Sequence, residues 1–551
     1  MLLKIFNILV IIVFGFYLSL FILNYPSISN INGPTVGMLF LLTLSYIFNK
    51  TDHSKSYFLK TLNSIVKSQD KILVVSSVSV LFIILTSLSI ARHFALSSCS
   101  SDLGIFDQAI WNTLNGDVLF SSIMGNFSLL GYHFYPILLF FVPFYELWPS
   151  PLVLLIIQSL LLASSIIPLY LIAKMYLTDR IIIFAMIISF VLSKPLRGVG
   201  LSDFHTECFI LPALFWAYYF LIKKRNLLFF LTIFVLLLCK EDVTFLVAGF
   251  GLFTAFFQKR RGLGLGLFIL GIAAWFIETK YIIPFFNPLG IYPYMDRLPF
   301  GLTYADNFKA VITNPALLGN LFFTGDKMEY VMKIFGPFAF LPLLSPAHYI
   351  LIVIPLLKNL ITTDTNFSGY YNITSHYTAA VIPFVFIAAI YGIRRLVNKF
   401  NNKNTAKAIG GIIIIAALFF YGKTDANKFW RFMKTIKEGH TLEKISYLKQ
   451  VPPGVSVAAN FNLVPHLSHR KYIFDWNPRE KSSHISQYLV IDLTLLEYLG
   501  KEETAQIESY LQEIDKLGFK KILENPEKTF FIYHNPQLTL SPAENLYKQN
   551  R

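Results

Sequence analysis

The segment "SSDLGIFDQAIWNTLNGD", Ser100 to Asp117, sets Asp102 and Asp107 just after a long apolar run. Carboxylates there suit two jobs. One is general-base chemistry, taking a proton from an attacking hydroxyl or amine. The other is holding a divalent cation that neutralises a phosphate leaving group. Later segments add companions: "GYHFYPIL" carries His133, "DFHTE" carries Asp203, His205 and Glu207, "CKED" carries Lys240, Glu241 and Asp242, and "SHYTAAVIPF" carries His376 and Tyr377. Any one Asp of this kind is as often a helix cap, and a lone interfacial His is more often a solvated turn. Several groups with matching sidedness outweigh that reading, because charge near a bilayer core is costly and marks function. The spacing in "DFHTE" is compatible with metal ligation but is not a specific metal signature.

The elements that must position these residues are membrane helices. Only 14% of the 551 residues are charged and 55% are hydrophobic, whereas a soluble chain carries about 25% charge. Runs such as "ILVVSSVSVLFIILTSLSI" (72–90) and "PLVLLIIQSLLLASSIIPLYLIA" (151–173) have the length needed to cross a hydrocarbon core, roughly 20 residues of helix. The net charge of +15 collects in short gaps, among them Lys223, Lys224 and Arg225, then Lys259, Arg260 and Arg261, then Arg394, Arg395 and Lys399. Such clusters mark cytoplasmic loops, which argues against a nucleic-acid partner. Three scattered cysteines, Cys99, Cys208 and Cys239, give neither a disulfide framework nor a zinc site. The first apolar run reads as a retained signal-anchor helix.

With the basic loops inside, spans are expected near 5–23, 36–48, 72–94, 152–173, 181–193, 209–222, 227–239, 243–257, 263–277, 334–345, 349–361, 378–393 and 408–421. The expected fold is therefore a polytopic α-helical membrane protein of about thirteen transmembrane helices, with its C-terminus outside. A helical hairpin and basic loop fill 1–71, and a transmembrane domain with a large first outer loop at 97–150 fills 72–421. Residues 134–148, bounded by prolines, read as a juxtamembrane helix. From 422 to 551 strand-like and helical patterns alternate, which points to a soluble α/β domain on the outer side. It has no glycine-rich phosphate loop.

The stretches "SDLGIFDQAIWNTLNGD", "HFYPILLFFVPFY", "DFHTE", "KED", "LPLLSPAHYILIVIPLLKNL", "HYTAAVIPF" and "VPPGVSVAANFNLVPHLSHR", in this order, resemble the domain-of-unknown-function family 2079 from about residue 72 to 535. That family is similar in layout to the GT-C glycosyltransferases, such as the protein O-mannosyltransferases and the aminoarabinose transferases of lipid A. Asp102, Phe106, Ala109 and Gly116 fall at spacings similar to the acidic motif that opens their first outer loop. The second acid often found directly after the first is replaced by Leu103, which leaves Asp107 as the candidate partner. The resemblance implies a multi-pass enzyme of the cell membrane that takes a sugar from a polyprenyl-phosphate donor. Asp102 is then the general base, and His205, Lys240 or His376 stabilises the departing phosphate. His133, Glu207, Glu241, Asp242 and Tyr377 complete the expected substrate-binding set. The aromatic-rich stretch 281–308 is expected to contact sugar and prenyl chain. Sugar, acceptor and metal requirement stay open, a divalent cation being one reading of the acids. Two competing functions are a transporter or flippase of lipid-linked or polar solutes and a non-catalytic envelope protein working through its C-terminal domain.

Overall fold

The computed structural model describes residues 68–538 except 295–299, 301–303, 315, 362–368, 401–402, 422–426, 477–485, 497–509 and 512. The spans expected at 5–23 and 36–48 lie outside the described residues.

The described chain is predominantly helical. Helix α1 (Ser68–Phe94) has Asp70 in its first turn and Arg92 and His93 in its last, the arrangement that complements a helix dipole. After it comes α2 (Ile105–Leu114), then α3 (Pro151–Ser164), α4 (Ile166–Tyr176), α5 (Arg180–Val191) and α6 (Lys194–Leu201). Next are α7 (Glu207–Ile222), α8 (Asn226–Leu237), α9 (Thr244–Phe256) and α10 (Arg261–Ile277). The series closes with α11 (Gly325–Phe335), α12 (Tyr349–Leu360), α13 (Ile382–Phe400), α14 (Lys403–Tyr421) and α15 (Lys428–Glu438).

Among the described residues, six helices are long and apolar enough to cross a membrane: Asp70–Phe94, Pro151–Tyr176, Arg180–Leu201, Arg261–Phe286, His376–Phe400 and Asn404–Tyr421. Glu207–Ile222, Asn226–Leu237 and Pro346–Leu360 are shorter apolar helices. The span expected at 334–345 is not a helix. Short 3-10 turns at Gly336–Phe338 and Leu341–Leu344 take its place. Pro337 and Pro342 remove helix donors there, and Ala339 and Phe340 adopt positive φ, so α11 cannot continue. The segment 134–148 forms a 3-10 turn and a short helix, Val142–Leu147.

The two ends of the helical body differ chemically. At one end Asp70 accepts from Lys174 at 2.9 Å and lies 3.7 Å from Arg180, while Arg394 sits over the Tyr176 ring. From that end α1 and α5 run the same way. Gly410 of α14 packs on Ile181 near the start of α5, and Tyr421 meets Arg197 beyond its end, so α14 is parallel to α5. The far ends of α1, α5 and α14 therefore share a side with Asp102.

On that side stands a five-stranded sheet made of β1 (Val457–Ala459), β2 (Ile473–Asp475), β3 (Tyr488–Asp492), β4 (Lys520–Glu524) and β5 (Phe530–His534), in the order β2–β1–β3–β5–β4. Strand β1 runs parallel to both β2 and β3, and β5 pairs antiparallel with β3 and with β4. Ala458, Leu489, Ile491 and Phe531 enter one core and Val457, Ala459, Val490 and Ile532 another. Covering both faces explains the continuous apolar runs of the central strands.

Candidate active site

Asp102 lies in a turn of π-helix, Ser100–Gly104, directly before α2. π-turns of this kind recur at functional sites. The C-terminal domain grips this segment: Ser100 donates to Asp475 at 2.8 Å, Gln108 donates to the Arg470 and Lys471 carbonyls, and Asn462 donates to the Leu96 carbonyl at 2.8 Å. Asp102 is thus held between the membrane body and the sheet.

Its carboxylate faces His205, with Nε2 3.2 Å from Oδ1, and accepts from the Cys99 thiol at 3.3 Å. About a third of the Asp102 side chain (34%) is open to solvent, against 8% for His205. Burial works against ionisation of Asp102, but His205 outweighs it and holds the carboxyl at about 2. Burial likewise opposes charge on His205, and Asp102 reverses that, raising its pKa. The backbone N–H of His205 donates to Gln158 Oε1 at 3.0 Å, so the loop "DFH" is fixed from α3. Its Nδ1 is buried with no hydrogen-bond partner among the described residues.

The ring of His205 stacks on His376, centroids 3.6 Å apart. That contact depends on Gly198: any Cβ there would strike the Thr374 backbone, so glycine lets α6 press against the segment that carries His376. Below the histidines Lys240 donates to Glu207 at 3.4 Å and lies over the Tyr135 and Tyr377 rings. Burial would discharge Lys240, but Tyr135, Glu207 and Asp242 keep it protonated. Asp242 pairs with Lys358, which also lies near the Tyr377 ring. Glu241 is 2.6 Å from His133 Nδ1 and accepts from the Phe134 N–H and the Tyr292 hydroxyl. Burial opposes its charge, and His133 beside it draws its pKa below the usual carboxylate range.

The candidates therefore converge, with one exception. His133, His205, Glu207, Lys240, Glu241, Asp242, His376 and Tyr377 form one connected set around Asp102, through the contacts above and the His133–Tyr135 ring contact. Asp107 points elsewhere. It is fully buried and accepts from Tyr145 at 2.6 Å, from Ser468, and from His469, which makes it a clasp between α2 and the C-terminal domain. Three residues that contact this network escaped the sequence reading: Lys358, Arg92 and Tyr135. Lys358 and Arg92 sit in the last turns of apolar helices, and a cation at such a position is itself a signal. Tyr135 carries no signal distinct from ordinary interfacial aromatics.

The described groups nearest to a cation site are Cys99, Asp102 and Asp203. They fit a hard divalent ion poorly. Asp203 already pairs with Arg92 and accepts from the Cys99 N–H. Burial, then Asp102 and Asp203, push the Cys99 thiol up, so it stays protonated. Such ions take several free oxygens, and of the two carboxylates in this set one already holds a guanidinium and the other faces His205.

A family model described as a predicted membrane protein (DUF2079) matches residues 92–521. The chain belongs to this family. The matched span begins at Arg92, two residues before the end of α1, and takes in every residue of the connected set. No curated protein matches the chain.

Proposed function

We propose that this chain is a membrane glycosyltransferase, moving a sugar from a polyprenyl-phosphate donor to an acceptor on the outer face of the cell membrane. The GT-C-like layout, the full complement of about thirteen spans and the outer placement of the C-terminal domain belong to the same proposal. One observation carries it. A solvent-reachable carboxylate, Asp102, lies 3.2 Å from the buried imidazole of His205, and the buried Lys240–Glu207 pair belongs to the same connected set at one end of the helical body.

In the reaction, the acceptor oxygen bonds to the anomeric carbon and the bond from that carbon to the phosphate oxygen breaks. The electron pair leaves with the polyprenyl phosphate, and the acceptor proton passes to Asp102. A carboxyl held at about 2 is a weak base, so it takes the proton late, from an oxygen already bonded to carbon and therefore acidic. His205 Nδ1, which has no partner among the described residues, and Lys240 are placed to donate to the departing phosphate, and charge-assisted bonds to phosphate are the strong ones. A transporter would set its ionisable groups near the midplane on broken helices. The position of these groups at one end supports the enzyme instead.

The test is prenyl-phosphate release from a panel of short prenyl-phosphate sugars by the full chain in nanodiscs. Asp102→Asn should lower release by about 10²–10⁴-fold, the usual worth of a general base, with the thermal transition kept within a few degrees. Equal release by wild type and Asp102→Asn would remove the assigned base. No release from any donor would remove the reading.

A further inference from the structure

A second site lies at the same end of the body, away from Asp102. A groove of about 190 Å³ opens between the ends of α5, α11 and α14 and the start of α6. Its polar side is made by Ser189, Ser193, Lys194 and Lys333, its apolar side by Phe419 and Phe420. A narrower cavity continues it inward toward Phe338 and Phe386. Phe419 is 79% exposed at the end of a membrane-length helix, so the mouth opens toward lipid. Ser189 Oγ is buried in the groove with no partner among the described residues. Lys333 pairs with Glu329, so the two lysines and that acid leave one net positive charge at the rim.

We infer that this groove seats the head of a phosphate-bearing lipid, with its first methylenes along Phe419 and Phe420. The volume admits the space of about six waters, enough for a phosphate and a short stretch of chain. It is too small for a helix, which is about 10 Å across. A cationic rim over an apolar trough matches a phosphate above a hydrocarbon chain, and the orphan Ser189 hydroxyl gains an acceptor. The groove also touches the candidate active site through covalent structure. Helix α6 begins in it at Lys194 and ends at Leu201, two residues before Asp203. Ile373 lines the groove, and three residues later His376 stacks on His205. Eight residues make α6 about 12 Å long. A lipid held here lies within one short helix of Asp102.

Two sources share this chemistry, a bilayer phospholipid and a polyprenyl phosphate, and binding alone separates them. The full chain is purified from nanodiscs containing phosphatidylglycerol, a short polyprenyl phosphate or a neutral galactolipid, and retained lipid is counted by native mass spectrometry. One phosphate-bearing lipid per chain should survive washing. Lys194→Gln with Lys333→Gln should cut its retention by about tenfold, the worth of roughly one strong contact, while the paired Lys→Arg variant keeps it. Displacement of phosphatidylglycerol by the prenyl phosphate assigns the groove to the carrier, and failure to displace it assigns the groove to a bilayer lipid; the inference stands either way. Equal retention of the galactolipid, or a retained lipid indifferent to both lysines, overturns it. The readout is independent of sugar transfer, so it holds or fails apart from the assignment of Asp102.

Discussion

The Asp102–His205 pair makes a prediction about pH with a definite sign. His205 has a raised pKa, so its share of the pairing is complete below its unfolded value of about 6.5 and is lost as pH rises through the folded value. Asp102 is held at about 2, so its share is present above about 3.8 and is lost only as pH falls toward 2. The pair is therefore at full strength between about pH 4 and 6.5 and weakens on the alkaline side. Thermal stability of the wild type should fall as pH rises above 6.5, and Asp102→Asn should flatten that slope. With a third of Asp102 open to solvent, the effect is below about 1 kcal/mol, a shift of a few degrees at most. An unchanged slope in Asp102→Asn would show that the pair does not titrate as a unit. At this scale the sequence was informative about residue types and silent about pairing. "DFHTE" and "CKED" announce charge at helix ends, but nothing in their spacing says that Lys240 reaches Glu207 rather than Asp242, or that Asp107 turns toward Ser468. Those pairings depend on contacts between separate helices 33 residues apart in the chain, or on a domain 361 residues away that the helical pattern does not orient.

Helix α15 illustrates what a single element can do at a membrane surface. It follows α14 after six residues, and Phe429, Phe432 and Ile436 form one flank while Trp430 and Met433 form the next. Trp430 is 70% exposed and Met433 40%, and Lys428, Arg431, Lys434 and Lys437 occupy the rest of the helix. A basic amphipathic helix with exposed Trp directly after a span lies in the headgroup plane. Trp430 emission should be blue-shifted in nanodiscs and quenched by shallow brominated lipid. Lys434→Gln with Lys437→Gln should weaken that quenching in anionic lipid, by about 1 kcal/mol of attraction for each lysine. Emission typical of water, indifferent to brominated lipid, would leave the apolar flank facing something other than the bilayer. Elements were legible where apolar runs were long, as at 72–94 and 152–173. They differ from expectation at 334–345, where apolar composition is helical in length but two prolines and two left-handed residues cut the chain into turns. Composition reports burial; it does not report where backbone donors are missing.

At the scale of the whole molecule, everything turns on one asymmetry. The Asp70, Lys174, Arg180 and Arg394 end carries structural ion pairs, and the opposite end carries the connected acids and histidines, the lipid-sized groove and the sheet. The basic gaps in the sequence predict which end faces the cytoplasm, because lysine and arginine clusters orient a polytopic chain. It could not show that the sheet clamps the Asp102 segment, since that contact joins residues 94–122 to residues 441–475 through side-chain amides and hydroxyls that look like ordinary solvated groups. If the end with the sheet is the outer one, cysteines introduced there must react with an impermeant maleimide on intact cells. Asn115 and His440 are exposed at that end, and Lys223 is exposed at the turn between α7 and α8. Asn115→Cys and His440→Cys should label from outside, and Lys223→Cys should label only after permeabilisation, each measured above the background of Cys99. Both sites flanking the sheet have to agree, because they sit on opposite sides of the membrane body in sequence but on one side in space. Labelling of Lys223→Cys alone in intact cells would invert the molecule. The geometry around Asp102 would survive that result, but an outward-facing lipid-linked donor would not, since the carboxylate would then meet the cytoplasm.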